Sequence, residues 1–348
     1  MRTSLLEYLV CPQCGDKLYL ETSHVKDGEV YHGSLKCHQG VHEYEIDRGV
    51  PVLLTQDITE DQQQVAQVFG DKWRTTPDYG YSDATLSFQR AWYLQKFGWG
   101  NVSRLRKFLW NKNMILDAGC GLGRDVKLYA ENTKGIVFGV DISDSVMVAH
   151  ERLKHLPNVY LIKADMTKLP FPSKYFDFIA CDQALHHTPD TMTSFKLLLQ
   201  YLKHRGQISI YVYKKKSAAR EYIDDMIREH TTMMSYADCV TFATACALFG
   251  KMVSDINVDL QRAIYWNAIK CFWGDDYDFM TNVMISLDWY HPKYAWRHTP
   301  DEVRGWYADA GLDVKNFDVS DSGVSVRGYR PGAMKSKDSK NKKEVTPK

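Results

Sequence analysis

The sequence predicts an α/β fold of the Rossmann-like kind, and three observations predict it. Met114-Ile115-Leu116-Asp117-Ala118 is a short apolar run leading into glycines at alternate positions, Gly119, Gly121 and Gly123, with a helical pattern from Asp125; that change of period reads as strand, tight turn and helix. A second apolar run, Gly135 to Val140, ends in Asp141, about 20 residues on, where an acid can hydrogen-bond two ribose hydroxyls. Further apolar runs at 159–163, 175–179 and 206–213 follow in series with helical patterns, as in a sheet built of strand–helix–strand units. To this point a nicotinamide dinucleotide fits as well as any other ligand.

Two features turn the reading away from a dinucleotide. Asp117 lies two residues before the first glycine, where a carboxylate repels a pyrophosphate and attracts an ammonium group. After the third strand, Ala164-Asp165-Met166 offers an acid that can accept the exocyclic amine of an adenine and a thioether that can pack on its ring. Leu169-Pro170-Phe171-Pro172 and the strand Tyr175-Phe176-Asp177-Phe178-Ile179 come next. This run resembles the class I S-adenosylmethionine-dependent methyltransferases in its glycine loop, ribose acid, adenine acid and LPF…FD sequence. The likeness covers residues 111 to 215 and, more loosely, 300 to 330. It implies a seven-stranded methyltransferase sheet and S-adenosyl-L-methionine as cofactor. By that resemblance Asp117 anchors the methionine ammonium, and Gly119, Gly121 and Gly123 let the backbone approach. Asp141 takes the ribose, Asp165 and Met166 hold the adenine, and Ile142 and Gln183 complete the cofactor-binding set.

Length and composition bound the rest. A chain of 348 residues has room for one large domain and a small one. With 44 basic against 43 acidic residues, it lacks the charge footprint of a dedicated nucleic-acid binder. No uninterrupted apolar run approaches the ~18 residues of a membrane span, and no secretory leader pattern opens the chain; the expectation is a cytoplasmic protein without a span. Most of the eight cysteines sit singly in apolar runs, where small buried thiols are expected.

In chain order, residues 1–55 begin with the knuckle Cys11-Pro12-Gln13-Cys14-Gly15, followed later by Cys37, His38 and His42. Two such turns can supply the four tetrahedral ligands of a Zn2+ ion, and Cys11, Cys14, Cys37 and His42 are the candidates. This segment resembles the small zinc module that activates tRNA and translation-factor methyltransferases. There the fourth ligand is normally a cysteine where this chain has Gly40; the bacterial ribosomal-RNA guanine methyltransferases use a Cys-Cys-Cys-His site of similar layout, with His42 in the matching part. Residues 56–110 read as a polar linker passing into aromatic-rich lid helices. In the resembling enzymes a segment at this place folds over the cofactor, making Phe69, Trp73 and Tyr81 candidates to line its pocket, among neighbours that include Tyr79 and Gly80. Residues 111–216 form the cofactor-binding core.

After the fourth strand, Thr188-Pro189-Asp190 reads as a helix start. This places His186 and His187 on a loop at the carboxyl end of a central strand, where open α/β sheets bind ligands. They are candidates for catalytic base or substrate hydrogen bonding, as is Tyr211 on the fifth strand, with Tyr213 beside it. Residues 217–299 are an inserted helical cap, with helical patterns at 218–228, 236–253 and 260–271. Its aromatic end, around Trp289, His291 and Trp296, is expected to face the transferable methyl. Residues 300–331 return a helix and the last two strands, and 332–348 is a lysine- and serine-rich tail expected to be disordered. The function expected is methylation of a small or medium-sized organic metabolite. The alternatives are modification of ribosomal or transfer RNA gripped by the zinc module, and a module that holds the cofactor without turnover. Oligomeric state is left open.

Overall fold

Strand β5 (Met114–Ala118) is the middle one of the five parallel strands of the larger sheet, and its sequence fits that place. Ile115, Leu116 and Ala118 are fully buried, as strands covered by helices on both faces must be. In the computed structural model, residues 1–78, 81 and 83–332 are described; Tyr79, Gly80 and, but for its first residue, the expected disordered tail lie outside them.

The chain opens with an antiparallel sheet of four strands in sequential order: β1 (Leu18–Lys26), β2 (Glu29–Cys37), β3 (Glu43–Asp47) and β4 (Val50–Pro51). This module is fused to the main sheet. Leu53 N–H donates to the Lys163 carbonyl at 2.8 Å and Val10 N–H to that of Pro170 at 3.0 Å, while Leu5, Leu9 and Leu35 share one apolar core with Phe138, Ile162 and Phe171. Three helices follow: α1 (Glu60–Thr75), α2 (Asp83–Lys96) and α3 (Val102–Leu109). The first has a capping box in which Thr59 accepts from Gln62 N–H and the Gln62 side chain accepts from Thr59 N–H.

From β5 the chain alternates: α4 (Arg124–Ala130), β6 (Ile136–Asp141), α5 (Ser145–Leu153), β7 (Val159–Lys163), β8 (Phe176–Cys181), α6 (Thr191–Gln200) and β9 (Leu202–Lys214). Next stand α7 (Ala218–Thr231), α8 (Tyr236–Ile256), α9 (Val258–Asn267) and α10 (Phe279–Tyr290), then the two-residue β10 (Arg297–His298), α11 (Pro300–Asp309), β11 (Asp313–Val319) and β12 (Gly323–Tyr329). The sheet order is β11-β12-β9-β8-β5-β6-β7, parallel from β9 to β7 and antiparallel at β12 and β11. Seven strands thus form the path, and β10 adds a short parallel pairing to β9 that makes eight.

Three local expectations are corrected. Helix α6 starts at Thr191 with Asp190 as its cap, accepting from Thr193 N–H at 2.6 Å, because Thr188 instead donates to the Leu185 carbonyl and closes a 3-10 turn over Leu185–His187. The cap holds a fourth helix, α10, which takes in the first part of the aromatic run. Helix α8, with 21 residues and a mean hydropathy of 1.4, is long and apolar enough by length and composition to cross a membrane. Counting uninterrupted apolar residues passes over it, since Asp238 and Lys251 break the run; in the fold, Cys239, Ala243 and Ala247 pack on Val283, Met284 and Leu287 of α10.

Candidate active site

At the carboxyl edge of β5, β6 and β8 lies a cavity of about 210 Å3, lined by the turn after β5, by Asp141, Asp165 and Gln183, by α1 and by the cap residue Asp288. All three glycines of the turn have positive φ, at 79°, 50° and 79°, the region that glycine adopts without strain. Their roles differ. A Cβ on Gly119 would meet that of Ala184 at 2.2 Å and one on Gly123 would meet Leu153 at 2.7 Å, whereas Gly121 has nothing nearer than the Trp73 ring at 3.8 Å. Gly119 and Gly121 line the cavity; Gly123 caps α4 away from it and permits close helix packing.

The Asp141 carboxylate is held by three donors: Gly121 N–H at 2.8 Å on one oxygen, and Ser143 N–H at 2.9 Å and hydroxyl at 2.7 Å on the other. Ile142 lines the cavity beside it. Asp165 accepts from Thr167 N–H at 2.8 Å and from the Gln62 amide at 2.9 Å, which ties the start of α1 to this acid, with Met166 alongside in the wall. Gln183 lines the cavity from a left-handed backbone, φ 62°.

Asp117 is only 2% exposed, lines the cavity, and its carboxylate makes no hydrogen bond among the described residues. Burial, reinforced by Asp125 and Asp182, pushes its pKa well above the usual carboxylate range. An unpaired buried carboxylate is costly, and a cation placed against it would relieve that cost. This is the observation that fits the ammonium of S-adenosylmethionine.

Behind the carboxylates stands a charge network that sequence reasoning missed. Lys96 of α2 donates to both oxygens of Asp182 at 2.7 and 2.9 Å. Arg124 donates to both oxygens of Asp125 at 2.9 and 3.0 Å and lies 3.8 Å from Asp182. Burial brings Lys96 down to about 8 even though Asp182 opposes the shift. Lys72 of α1 donates to Asp288 of α10 at 2.8 and 2.6 Å, joining lid and cap across the cavity. No sequence spacing links Lys96 to Asp182 or Lys72 to Asp288, because each of these pairs joins elements remote in the chain.

Of the candidate catalytic side chains, His187 and Tyr213 line the cavity, and His186 and Tyr211 are not brought to it. His187 approaches the Tyr294 carbonyl through Nδ1 at 2.6 Å. A carbonyl only accepts, so Nδ1 carries the proton and Nε2 is left as an acceptor. Burial brings this histidine down to about 4. His186 is fully buried, with neither ring nitrogen bonded, and lies against Tyr213 at 3.8 Å between centroids. Tyr211 is enclosed by Trp92 and the Lys96 ammonium. Alternation along β9 keeps Tyr211 and Tyr213 on one face, but only the second stands far enough along the strand to reach the cavity.

The aromatic end of the cap is also corrected. Trp289 is 1% exposed, donates to Asp224 at 2.8 Å and stands behind Tyr213 at 4.7 Å; the wall residue on its helix is Asp288. His291 bonds the Thr231 carbonyl through Nδ1 at 3.0 Å, and Trp296 is half exposed with its indole N–H on the Thr188 carbonyl. The lid aromatics Phe69, Trp73 and Tyr81 do line the cavity.

In the N-terminal module the ligand atoms of Cys11, Cys14, Cys37 and His42 lie within 4.8 Å of one another. His42 Nδ1 is 3.4 Å from the Cys11 sulfur and 3.6 Å from that of Cys37, close to the ~3.6 Å edge that Zn–S and Zn–N bonds make in a tetrahedron. The cluster is compatible with zinc. Gly40, where the resembling module carries a cysteine, closes a turn onto Cys37 with φ 70°. Although burial pushes the Cys37 thiol up, the N–H groups of His42 and Val41 outweigh it and bring it to about 7.

Comparison with known proteins agrees with this site. Residues 116–210 match the methyltransferase domain family. Among relatives, the demethylmenaquinone methyltransferase of Listeria welshimeri is 28% identical over 153 residues, 42% of this chain and 61% of that protein. The cycloartenol-C-24-methyltransferase of Arabidopsis thaliana is 30% identical over 93 residues, 26% of this chain and 28% of that protein. The matches thus span less than two thirds of either relative. The magnesium protoporphyrin IX methyltransferase of Synechocystis PCC 6803 aligns over 79% of this chain and 100% of its own, at 13% identity and a TM-score of 0.45.

Proposed function

We propose that this protein is an S-adenosylmethionine-dependent methyltransferase whose acceptor is a small or medium-sized organic molecule enclosed between the sheet and the helical cap. One observation carries the reading: a single cavity is lined both by Asp117, Asp141 and Asp165 and by His187, Tyr213 and the cap residue Asp288. When bound, the cofactor supplies a methyl group activated by its sulfonium. The chain's own part is to bind, align and exclude water. Asp117 receives the ammonium, Asp141 the ribose and Asp165 the adenine amine. His187 presents Nε2 to the acceptor's hydroxyl, amine or acidic carbon, orients it and receives its proton. Tyr213 and Phe69 provide flat apolar walls. The relatives named for demethylmenaquinone and cycloartenol support an acceptor of organic-metabolite size. The lid–cap pair Lys72–Asp288 across the cavity supports it over a folded RNA. The Cys11, Cys14, Cys37 and His42 cluster holds a structural Zn2+ that fixes the two turns of the N-terminal module.

Purified protein incubated with methyl-labelled cofactor should transfer label to a component of a metabolite extract and none to RNA. Label in RNA alone would replace this reading with the nucleic-acid one, and label in neither, with cofactor bound, would favour a non-catalytic module.

A further inference from the structure

A second polar cluster lies inside the cap around Trp289, whose ring stands behind the cavity residue Tyr213. Three cations converge on the Trp289 indole: the Lys270 ammonium at 4.3 Å from the ring centroid, the Arg220 guanidinium at 5.7 Å and the Lys216 ammonium at 5.9 Å. Lys216 also sits over Trp266 at 4.2 Å. The balancing acid at the core of the cluster is Asp224, fully buried, and its oxygens are already taken by Trp289 Nε1 and the Tyr290 hydroxyl, both at 2.8 Å, and by Arg220 at 2.8 Å. Two donors are left over. Arg220 is fully buried and its Nη2 has no partner; Lys270 is 6% exposed and its ammonium makes no hydrogen bond or ion pair among the described residues.

Buried cations persist when they are paired, and aromatic faces offset only part of the desolvation. Lys216 donates to the Asp321 carbonyl, and Arg220 Nη2 and the Lys270 ammonium are left short of an acceptor. We propose that Lys270, Arg220 and Lys216 form an oxyanion-binding site within the cap, taking the carboxylate or phosphate group of a ligand whose apolar or aromatic part lies against Trp266 and Trp289. Lys216 and Trp266 are only partly buried, so solvent reaches the cluster from their side. Burial, with Lys216 and Arg220 adding to it and Asp288 and Asp224 opposing, brings Lys270 down to about 7, and an anion bound against it would raise it again. This site stands independently of the methyltransferase reading, since none of its residues lines the cavity.

The test is calorimetric titration of the intact protein with inorganic phosphate and, separately, with benzoate, which tells the two oxyanion sources apart. Binding of either should weaken by about tenfold or more in Lys270→Met and in Lys216→Gln, with S-adenosylmethionine affinity unchanged in both. Lys216→Gln, at a partly exposed position, carries the test should Lys270→Met fail to fold. No binding of either anion at tens of millimolar, or equal binding by the variants and the parent, overturns the proposal whether or not the protein proves to be a methyltransferase.

Discussion

Replacing Lys96 by Met should destabilise the protein through a residue that does not line the cavity. The Lys96 and Asp182 side chains are 1% and 2% exposed, so the substitution leaves a carboxylate in the interior without its main partner. Breaking a buried pair in this way costs about 3–5 kcal/mol. Arg124 remains 3.8 Å from Asp182 and retains part of the compensation, which places the loss at the lower end, about 3 kcal/mol. For a chain of this length that is a fall of about 4 °C in melting temperature. The deficit has a direction in pH. Burial already raises the Asp182 pKa, and Lys96 opposes that rise; without the lysine it rises further. An acid whose folded pKa exceeds its unfolded one binds more protons when folded, so the variant's deficit should narrow as pH falls. Adding Asp182→Asn removes the stranded charge and should recover at least about 1 kcal/mol of the loss. Urea unfolding of the parent, Lys96→Met and the double variant, followed by circular dichroism at several pH values, measures all of this. A single variant within about 1 kcal/mol of the parent, or a double variant no more stable than the single one, would refute the assignment of Lys96 as the counter-ion that keeps Asp182 charged.

The remaining expectations concern the cofactor, the cavity histidine and the metal. Asp117→Asn should weaken S-adenosylmethionine binding by on the order of 2 kcal/mol, about thirtyfold. In the parent, affinity should fall as pH falls, because the raised carboxyl must lose its proton to meet an ammonium; a calorimetric profile equally flat in parent and variant would remove Asp117 from the ammonium site. His187 has a folded pKa near 4 against an ordinary value of 6.5, so the unfolded chain takes up its proton first and up to about 3 kcal/mol of stability is lost as pH falls from above 6.5 towards 4. His187→Gln should lack this component, and nitrogen NMR of the parent at pH 6 should show a neutral ring protonated on Nδ1; a ring protonated on both nitrogens there contradicts the buried geometry. Protein purified without chelator should contain about one equivalent of zinc, lost on replacing Cys11 and Cys14 by Ser, and metal-free fresh reduced protein would count against the zinc assignment.

What the sequence determined by itself lies where the physics is local. The glycines at 119, 121 and 123 report a backbone that must turn left-handed. The run from Met114 to Ala118 reports a strand covered on both faces, and Asp141 and Asp165 stand at strand ends because the chain reverses there. The same locality makes Cys11 and Cys14 legible as a knuckle. Tertiary structure alone decided the rest. His186 and His187 are adjacent in sequence, yet one turn of 3-10 helix sends the first into the interior beside Tyr213 and the second into the cavity. Trp289 and Asp288 divide in the same way, the tryptophan turned to Asp224 and the acid turned to Lys72. The ion pairs Lys96–Asp182 and Lys72–Asp288 join residues 86 and 216 positions apart, and their value comes from desolvation that exists only once α1, α2 and the cap close over the sheet. A charge is written in the sequence; whether it is buried, and against what, is settled by packing between elements that local pattern does not connect.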